Sequence, residues 1–328
     1  MSFSSSYLRR RRVEFTGRCL SSAVAFTAAA LVAGRARAEP LSEERSQSYY
    51  VWHGVGTGAA FAGALGLTLV APDQPGPDWA LGAWDRSARG RFSDSAAKAS
   101  DQLLSLVATL PLAIQMSDGF DTAFGNAALI YGETQAVSVF LNSAIKLAFG
   151  RPRPYTHSRD PEIQEFAKEE GPDAFASFYS GHASLTHTAA MAGSLLYAMR
   201  TDELVARHVV WGLEFGLAGI TAQLRVRAGR HYPSDIWTGA LVGAGIGFAV
   251  PALHGVELER VQASEWAVAG GAFGLTMVGG EILALAGSSS DDDVGSTDEE
   301  RTASSELELI VLPKAFASGA GIELLGAF

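Results

Sequence analysis

Cysteine is nearly missing from this chain: Cys19 is the only one in 328 residues. One thiol can build neither a disulfide framework nor a cysteine-based metal site. Proline is scarce too, with 12 residues. Positive charge is in deficit, 25 Lys and Arg against 35 Asp and Glu, for a net charge of -10. That balance argues against nonspecific nucleic-acid binding, so no nucleic-acid partner is expected. No metal-ligand set stands out by spacing, so no metal is predicted, and there is no internal repeat. Mean hydropathy, at +0.13, is low for a chain that crosses a membrane many times.

What is present is small and apolar. Hydrophobic residues make up 48% of the chain and glycine contributes 36 positions. This composition suits closely packed helices. The pattern predicts an all-α helical bundle with a core of about five or six helices, an acidic disordered segment and a short C-terminal β-hairpin. Residues 1–38 read as a signal peptide: basic Arg9 to Arg12, apolar Cys19 to Gly34, then an Ala36-Arg37-Ala38 cleavage pattern. Cleavage there would remove seven arginines and one glutamate and leave a net charge of -16. A retained N-terminal anchor is the other reading of this segment.

The remaining chain divides into 39–120, N-terminal helices and a surface loop; 121–287, the helical core; 288–304, a disordered acidic linker; and 305–328, the hairpin. Tyr49 to Ala71 is long enough for a membrane span. Asp85 to Asp101 reads as a surface helix or loop, and Leu103 to Met116, with Pro111 inside, as a short helix that does not span. Asp121 to Phe149 is a long helix stopped by Gly150 and Pro152. Tyr155 to Phe178 is a polar loop over the site. Further helices are expected from about 181 to 199, 208 to 225, 235 to 251 and 266 to 286. Ser288 to Glu300 is Ser/Asp/Glu-rich, the composition of a disordered segment. Glu306 to Leu312 and Gly321 to Phe328 alternate as two strands would.

Three clusters carry the chemistry. Lys146 and Arg153 flank a helix end and a proline-bounded turn, so both cations can approach one anion. Read alone, they would be two solvated surface cations. Ser180-Gly181-His182 sits where a loop enters a helix, where free N–H groups and the helix dipole favour an anion. Ser180 alone would be a helix cap, and His182 alone a packed histidine. Arg225 supplies a third cation, and His231 and Asp235 stand four apart, so both can lie on one side of a helix entry. Alone, Asp235 would be a capping acid with an incidental histidine. Asp235 is expected to hold one ring nitrogen of His231 and leave the other free.

Taken together, the order Lys146, Arg153-Pro154, Ser180-Gly181-His182, Arg225, His231 and Asp235 resembles the signature of the type-2 phosphatidic-acid phosphatase and vanadium haloperoxidase superfamily. Two positions depart from that pattern: Tyr179 stands where the family has Pro and Leu224 where it has Ser. The resemblance covers roughly residues 120 to 255. It implies a phosphomonoesterase or pyrophosphatase whose nucleophile is His231, oriented by Asp235, with His182 as the acid. Lys146, Arg153, Arg225, Ser180 and Gly181 would bind phosphate. No cofactor is implied, except vanadate if the chain is a haloperoxidase. The substrate would be a phosphorylated lipid or a small phosphoester. The span-like runs suggest a bacterial inner membrane with the site facing the periplasm, on the count that 103–116 does not cross. A soluble periplasmic acid phosphatase is the alternative. A catalytically silent envelope interaction protein is the reading from another class, and it predicts that His231 can be replaced without consequence.

Overall fold

The computed structural model describes residues 41–70, 75–116, 119–282, 309–316 and 319–326. The expected signal segment and the acidic linker therefore lie outside the described residues. The described helices are α1 (Gln47–Leu69), α2 (Gly82–Arg86), α3 (Asp94–Met116), α4 (Thr122–Phe149), α5 (Pro161–Glu169), α6 (Gly181–Ala198), α7 (Leu204–Arg227), α8 (Pro233–Leu253) and α9 (Ala263–Phe273). A π-helical stretch, Gly274–Val278, prolongs α9. The all-α expectation is met. Two strands, Leu309–Phe316 and Gly319–Gly326, pair antiparallel with Leu309 opposite Gly326. Both strands take in residues that the sequence pattern assigns to the connection.

Local chemistry sets the helix ends. The Asp121 side chain accepts from the Phe124 N–H at 2.7 Å and starts α4. Gly150 ends α4 in the left-handed region, φ 57°, which glycine reaches without the Cβ clash. Pro233 occupies the first turn of α8, where its missing N–H costs nothing.

Successive long helices alternate in direction. Tyr50, at the start of α1, donates to Asn126, at the start of α4, at 2.8 Å. At the far end the Gly76 N–H donates to the Gly150 carbonyl at 2.7 Å. Helix α3 runs the other way: Ser100 near its start bonds Arg225 at the end of α7, and Ala108 further along accepts from Tyr131. This corrects the reading of 103–116 as a short segment. The residues from Asp94 onward join it in one 23-residue helix that passes along the bundle. Pro111 packs where a side chain on Gly193 would stand, 2.5 Å from the position of its Cβ. The start of α1 and the site lie at opposite ends of the bundle.

Trp211, Ile130, Leu195, Leu196 and Ile236 are fully buried between these helices. Helices α6 and α8 approach closest. The Cβ positions of Gly239, Gly243 and Gly247, one turn apart on α8, fall 2.6, 2.1 and 2.7 Å from the carbonyls of Ser180, Ser184 and Thr188. Among the described residues one helix, α8, is long and apolar enough to cross a membrane by itself. At the end of the bundle where α1 begins, the fold gathers His53, Glu133 and His254, three residues scattered in the sequence. No spacing in the sequence points to this cluster.

Candidate active site

The other end of the bundle collects the three motif clusters. Lys146 comes from the last turn of α4, Arg153 from the segment after it, and His182 from the first turn of α6. Arg225 comes from the last turn of α7, and His231 from the turn before α8. The charges of Arg153, Arg225, Lys146 and His182 all bear on the His231 imidazole. The Lys146 Nζ stands 3.7 Å from where a Cβ on Gly181 would be, and Asn142 Oδ1 stands only 2.8 Å from it. A side chain at 181 would therefore push into this end of α4. Ser180 caps α6 by accepting from the Ala183 N–H at 3.3 Å, and its own N–H donates to the Asp235 carbonyl at 3.1 Å. The structure brings all eight predicted site residues together at one end of the bundle.

The cations are buried and partly committed. Arg153 is 4% exposed and donates from Nε to the Asp173 carbonyl and from Nη2 to both oxygens of the Asp173 carboxylate. Arg225 donates from Nη1 to Ser100 at 2.9 Å and to Asp101 at 3.2 Å. Arg153 Nη1 and Arg225 Nε are buried donors with no partner among the described residues. Leaving such donors dry is costly, and an anion satisfies them. Asp101 also holds His182, with Nε2 to Oδ1 at 2.7 Å.

One predicted contact is corrected. His231 Nδ1 bonds the Ser177 carbonyl at 2.7 Å, while Asp235 Oδ2 lies 3.7 Å from that nitrogen. A carbonyl accepts only, so Nδ1 carries the proton and Nε2 presents its lone pair. Asp235 is engaged elsewhere. It accepts from Arg151, from the Ser177 hydroxyl and from the Tyr232 N–H. Its side chain closes the first turn of α8, which pulls the Ser180 loop and the His231 turn into register. Asp235 acts on His231 through that frame and as a nearby negative charge. Burial, followed by the positive charges of Arg153, Arg225 and Lys146, holds the His231 pKa well below the ordinary histidine value. The imidazole is therefore neutral at neutral pH.

The sequence reading missed the frame behind the site. The Arg151 guanidinium lies between the Trp79 and Tyr232 rings, 3.7 and 3.8 Å from their centroids. It also pairs with Asp85 at 2.9 Å, and Ser234 donates to Asp85 at 2.8 Å. Arg151, Asp85 and Asp235 are all fully buried. A second arginine two residues before Arg153 was the available signal for this role. For Asp101 and Asp173 the sequence offers none. The two departures from the family pattern are filled differently. Tyr179 is buried and its carbonyl accepts from Asn142 at 2.8 Å. Leu224 packs on the Ala96, Ala97 and Ala228 cluster, so no hydroxyl is supplied there.

Comparison with known proteins falls on these same helices. Residues 127–258 match the family model described as PAP2 superfamily. A stretch of 111 residues is 35% identical to a Lipid A 1-phosphatase of Rhizobium johnstonii, covering 34% of this chain and 41% of that protein. A Lipid A 1-phosphatase of Rhizobium etli is 34% identical over 110 residues, covering 34% of this chain and 43% of the relative. The match thus spans less than half the length of either relative. No solved structure matches. The family match and the convergent motifs coincide: the helices that carry the site are the part of this chain that is similar to the PAP2 superfamily.

Proposed function

We propose that the chain is a lipid-phosphate phosphatase that works through a phosphohistidine at His231. The observation that carries this reading is the pair of unpartnered buried donors, Arg153 Nη1 and Arg225 Nε, beside a neutral imidazole. Lys146, Arg153, Arg225 and the N–H groups at the start of α6 receive the phosphoryl oxygens and neutralise their charge as the transition state forms. His231 Nε2 attacks phosphorus, and the bond to the leaving oxygen breaks. His182 donates its proton to that oxygen. Water then attacks the phosphohistidine with His182 as base, releasing phosphate and restoring both imidazoles. Asp101 must release His182 Nε2 when substrate enters. The proposed reaction uses no metal or cofactor at this site.

A lipid substrate is supported by the surface. Val51, Trp52, Val55, Phe61, Leu65 and Leu69 of α1 are exposed, as are Val205, Val209, Leu213 and Ile220 of α7 and Leu241 of α8. Exposed apolar side chains in such numbers fit a membrane better than water. The similarity to Lipid A 1-phosphatases makes a phosphate on a glycolipid the first substrate to try.

The test is phosphate release by the purified full chain in detergent from lipid A, phosphatidate, undecaprenyl pyrophosphate and p-nitrophenyl phosphate. Wild type should prefer a lipid, and His231→Ala should release none. Acid-labile phosphate should be trapped on wild type but not on His231→Ala. Preference for the water-soluble ester, with recovery from the detergent-free fraction, would replace the lipid reading. Full turnover by His231→Ala would overturn the mechanism.

A further inference from the structure

Glu133, His53 and His254 meet at the end of the bundle away from the phosphate site. Glu133 and Lys146 lie on one helix thirteen residues apart, so the two places are separated by about 20 Å at 1.5 Å per residue. The Glu133 carboxylate faces both imidazoles. Its Oε2 is 2.8 Å from His53 Nδ1 and 3.2 Å from His254 Nε2, and the three ligand atoms lie within 4.8 Å of one another. Glu133 and His254 are buried and His53 is half-buried.

We propose that these three residues bind a divalent transition-metal ion, with zinc as the natural occupant, and that the ion clamps α1 to α4 and the end of α8. Two imidazoles and one carboxylate are a donor set for zinc rather than for calcium or magnesium, which take oxygen ligands. Ligand bonds of about 2.0–2.1 Å in a tetrahedron place neighbouring donors roughly 3.3 Å apart. Two of the three edges, 2.8 and 3.2 Å, are close to that span before any ion draws the groups together.

A second observation points the same way. The Tyr49 hydroxyl bonds His254 Nδ1, the nitrogen turned away from Glu133. Metal-bound histidines are oriented in this manner, with one nitrogen on the ion and the other on a fixed hydrogen-bond partner. Tyr49 and the two imidazoles also pack ring against ring, His53 4.3 Å from Tyr49 and 4.5 Å from His254. The carbonyl of His254 accepts from Arg45 Nη2 at 3.4 Å. Rotation of either ring is therefore restricted. Three protein ligands leave one tetrahedral position open for water. The residues come from three separate segments, so bound metal would tie together parts of the chain that are far apart in sequence.

The experiment uses the full chain purified in detergent without chelator. Metal content is measured directly, and cobalt(II) replaces zinc as a spectroscopic probe. Wild type should carry about one zinc per chain and, after exchange, show the intense visible bands of tetrahedral cobalt. Glu133→Gln keeps size and hydrogen bonding, and should lose at least four-fifths of the metal and the bands. Added zinc should raise the melting temperature of stripped wild type and leave that of Glu133→Gln unchanged. His254→Ala should repeat the loss, and Glu133→Gln, the smaller change, decides should His254→Ala fail to fold. Metal-free wild type that binds no cobalt, or Glu133→Gln with full metal content, would overturn the site in favour of a metal-free hydrogen-bonded triad. Phosphate release is not needed for any of these readings.

Discussion

His231 and Asp235 stand one helical turn apart, yet the hydrogen bond of His231 Nδ1 goes to the Ser177 carbonyl at 2.7 Å and not to Asp235, whose oxygen is 3.7 Å away. Where a carboxylate alone fixes the tautomer of a catalytic histidine, its amide analogue costs roughly 10⁴ in rate. Here a backbone carbonyl fixes it. Asp235→Asn should therefore lower kcat only about 10- to 100-fold, by removing a nearby negative charge. It should also cost about 3 kcal/mol of stability, because a buried partner of Arg151 is lost. Turnover and denaturant unfolding on the same preparation separate the two effects. A 10⁴-fold loss with unchanged stability would mean that Asp235 holds the imidazole directly.

The acid side of the stability curve should carry the signature of His231. Its folded pKa is pushed well below the ordinary 6.5, by burial first and then by Arg153, Arg225 and Lys146. Below pH 6.5 the unfolded chain takes up a proton that the folded chain refuses, so stability falls as pH falls. At full effect the slope from one such group is about 1.4 kcal/mol per pH unit. Unfolding of wild type at pH 7.5 and 5.5 should show this loss, and His231→Asn should show a shallower one. Equal slopes in the two proteins would mean that His231 is protonated in the folded state.

Asp101 sets the entry condition of the site. Its carboxylate is 62% exposed and bonds both His182 and Arg225, two groups assigned to the phosphoryl oxygens and the leaving group. An incoming phosphate must compete with that negative charge. Asp101→Asn should tighten inhibition by inorganic phosphate about 5- to 10-fold, on the order of 1 kcal/mol for an exposed pair. Stability should change little. Weaker phosphate inhibition in Asp101→Asn would show that the carboxylate positions the cations for substrate and does not compete with it.

The helical plan could be read from apolar runs and from breakers such as Gly150, and the site from three clusters of fixed spacing. What escaped the reading was tertiary. Arg151 looks like any basic residue in a turn until Trp79 and Tyr232 close over it and Asp85 arrives from 66 positions away. Asp101 sits among surface-type charges, and only the packing of α3 on α7 brings it to His182. The extent of α3 was missed because the charged, small-residue stretch up to Asp101 reads as surface and the apolar run begins only at Leu103, with Pro111 inside it. The proline is tolerated because Gly193 leaves room for the ring. His53 and His254 are lone histidines 201 positions apart, and no local pattern connects them with Glu133.

The crossing of α6 over α8 allows a paired test of packing against helix propensity. A methyl group on Gly243 would fall 2.1 Å from the Ser184 carbonyl oxygen, a backbone atom that cannot swing aside. Gly245, on the same helix, has no heavy atom within 4 Å of that position. Alanine is the better helix former by about 0.5–1 kcal/mol. If propensity governed both sites, both substitutions would stabilise. The contact at 243 reverses the sign, because forcing α6 and α8 apart costs about 1–3 kcal/mol. It also moves Ser180, whose N–H is tied to Asp235 at the start of α8. Gly243→Ala should therefore lower both melting temperature and turnover, while Gly245→Ala should raise the first and leave the second alone. Identical behaviour of the two variants would show that α6 and α8 are not in backbone contact, and the frame that aims His231 would need another source.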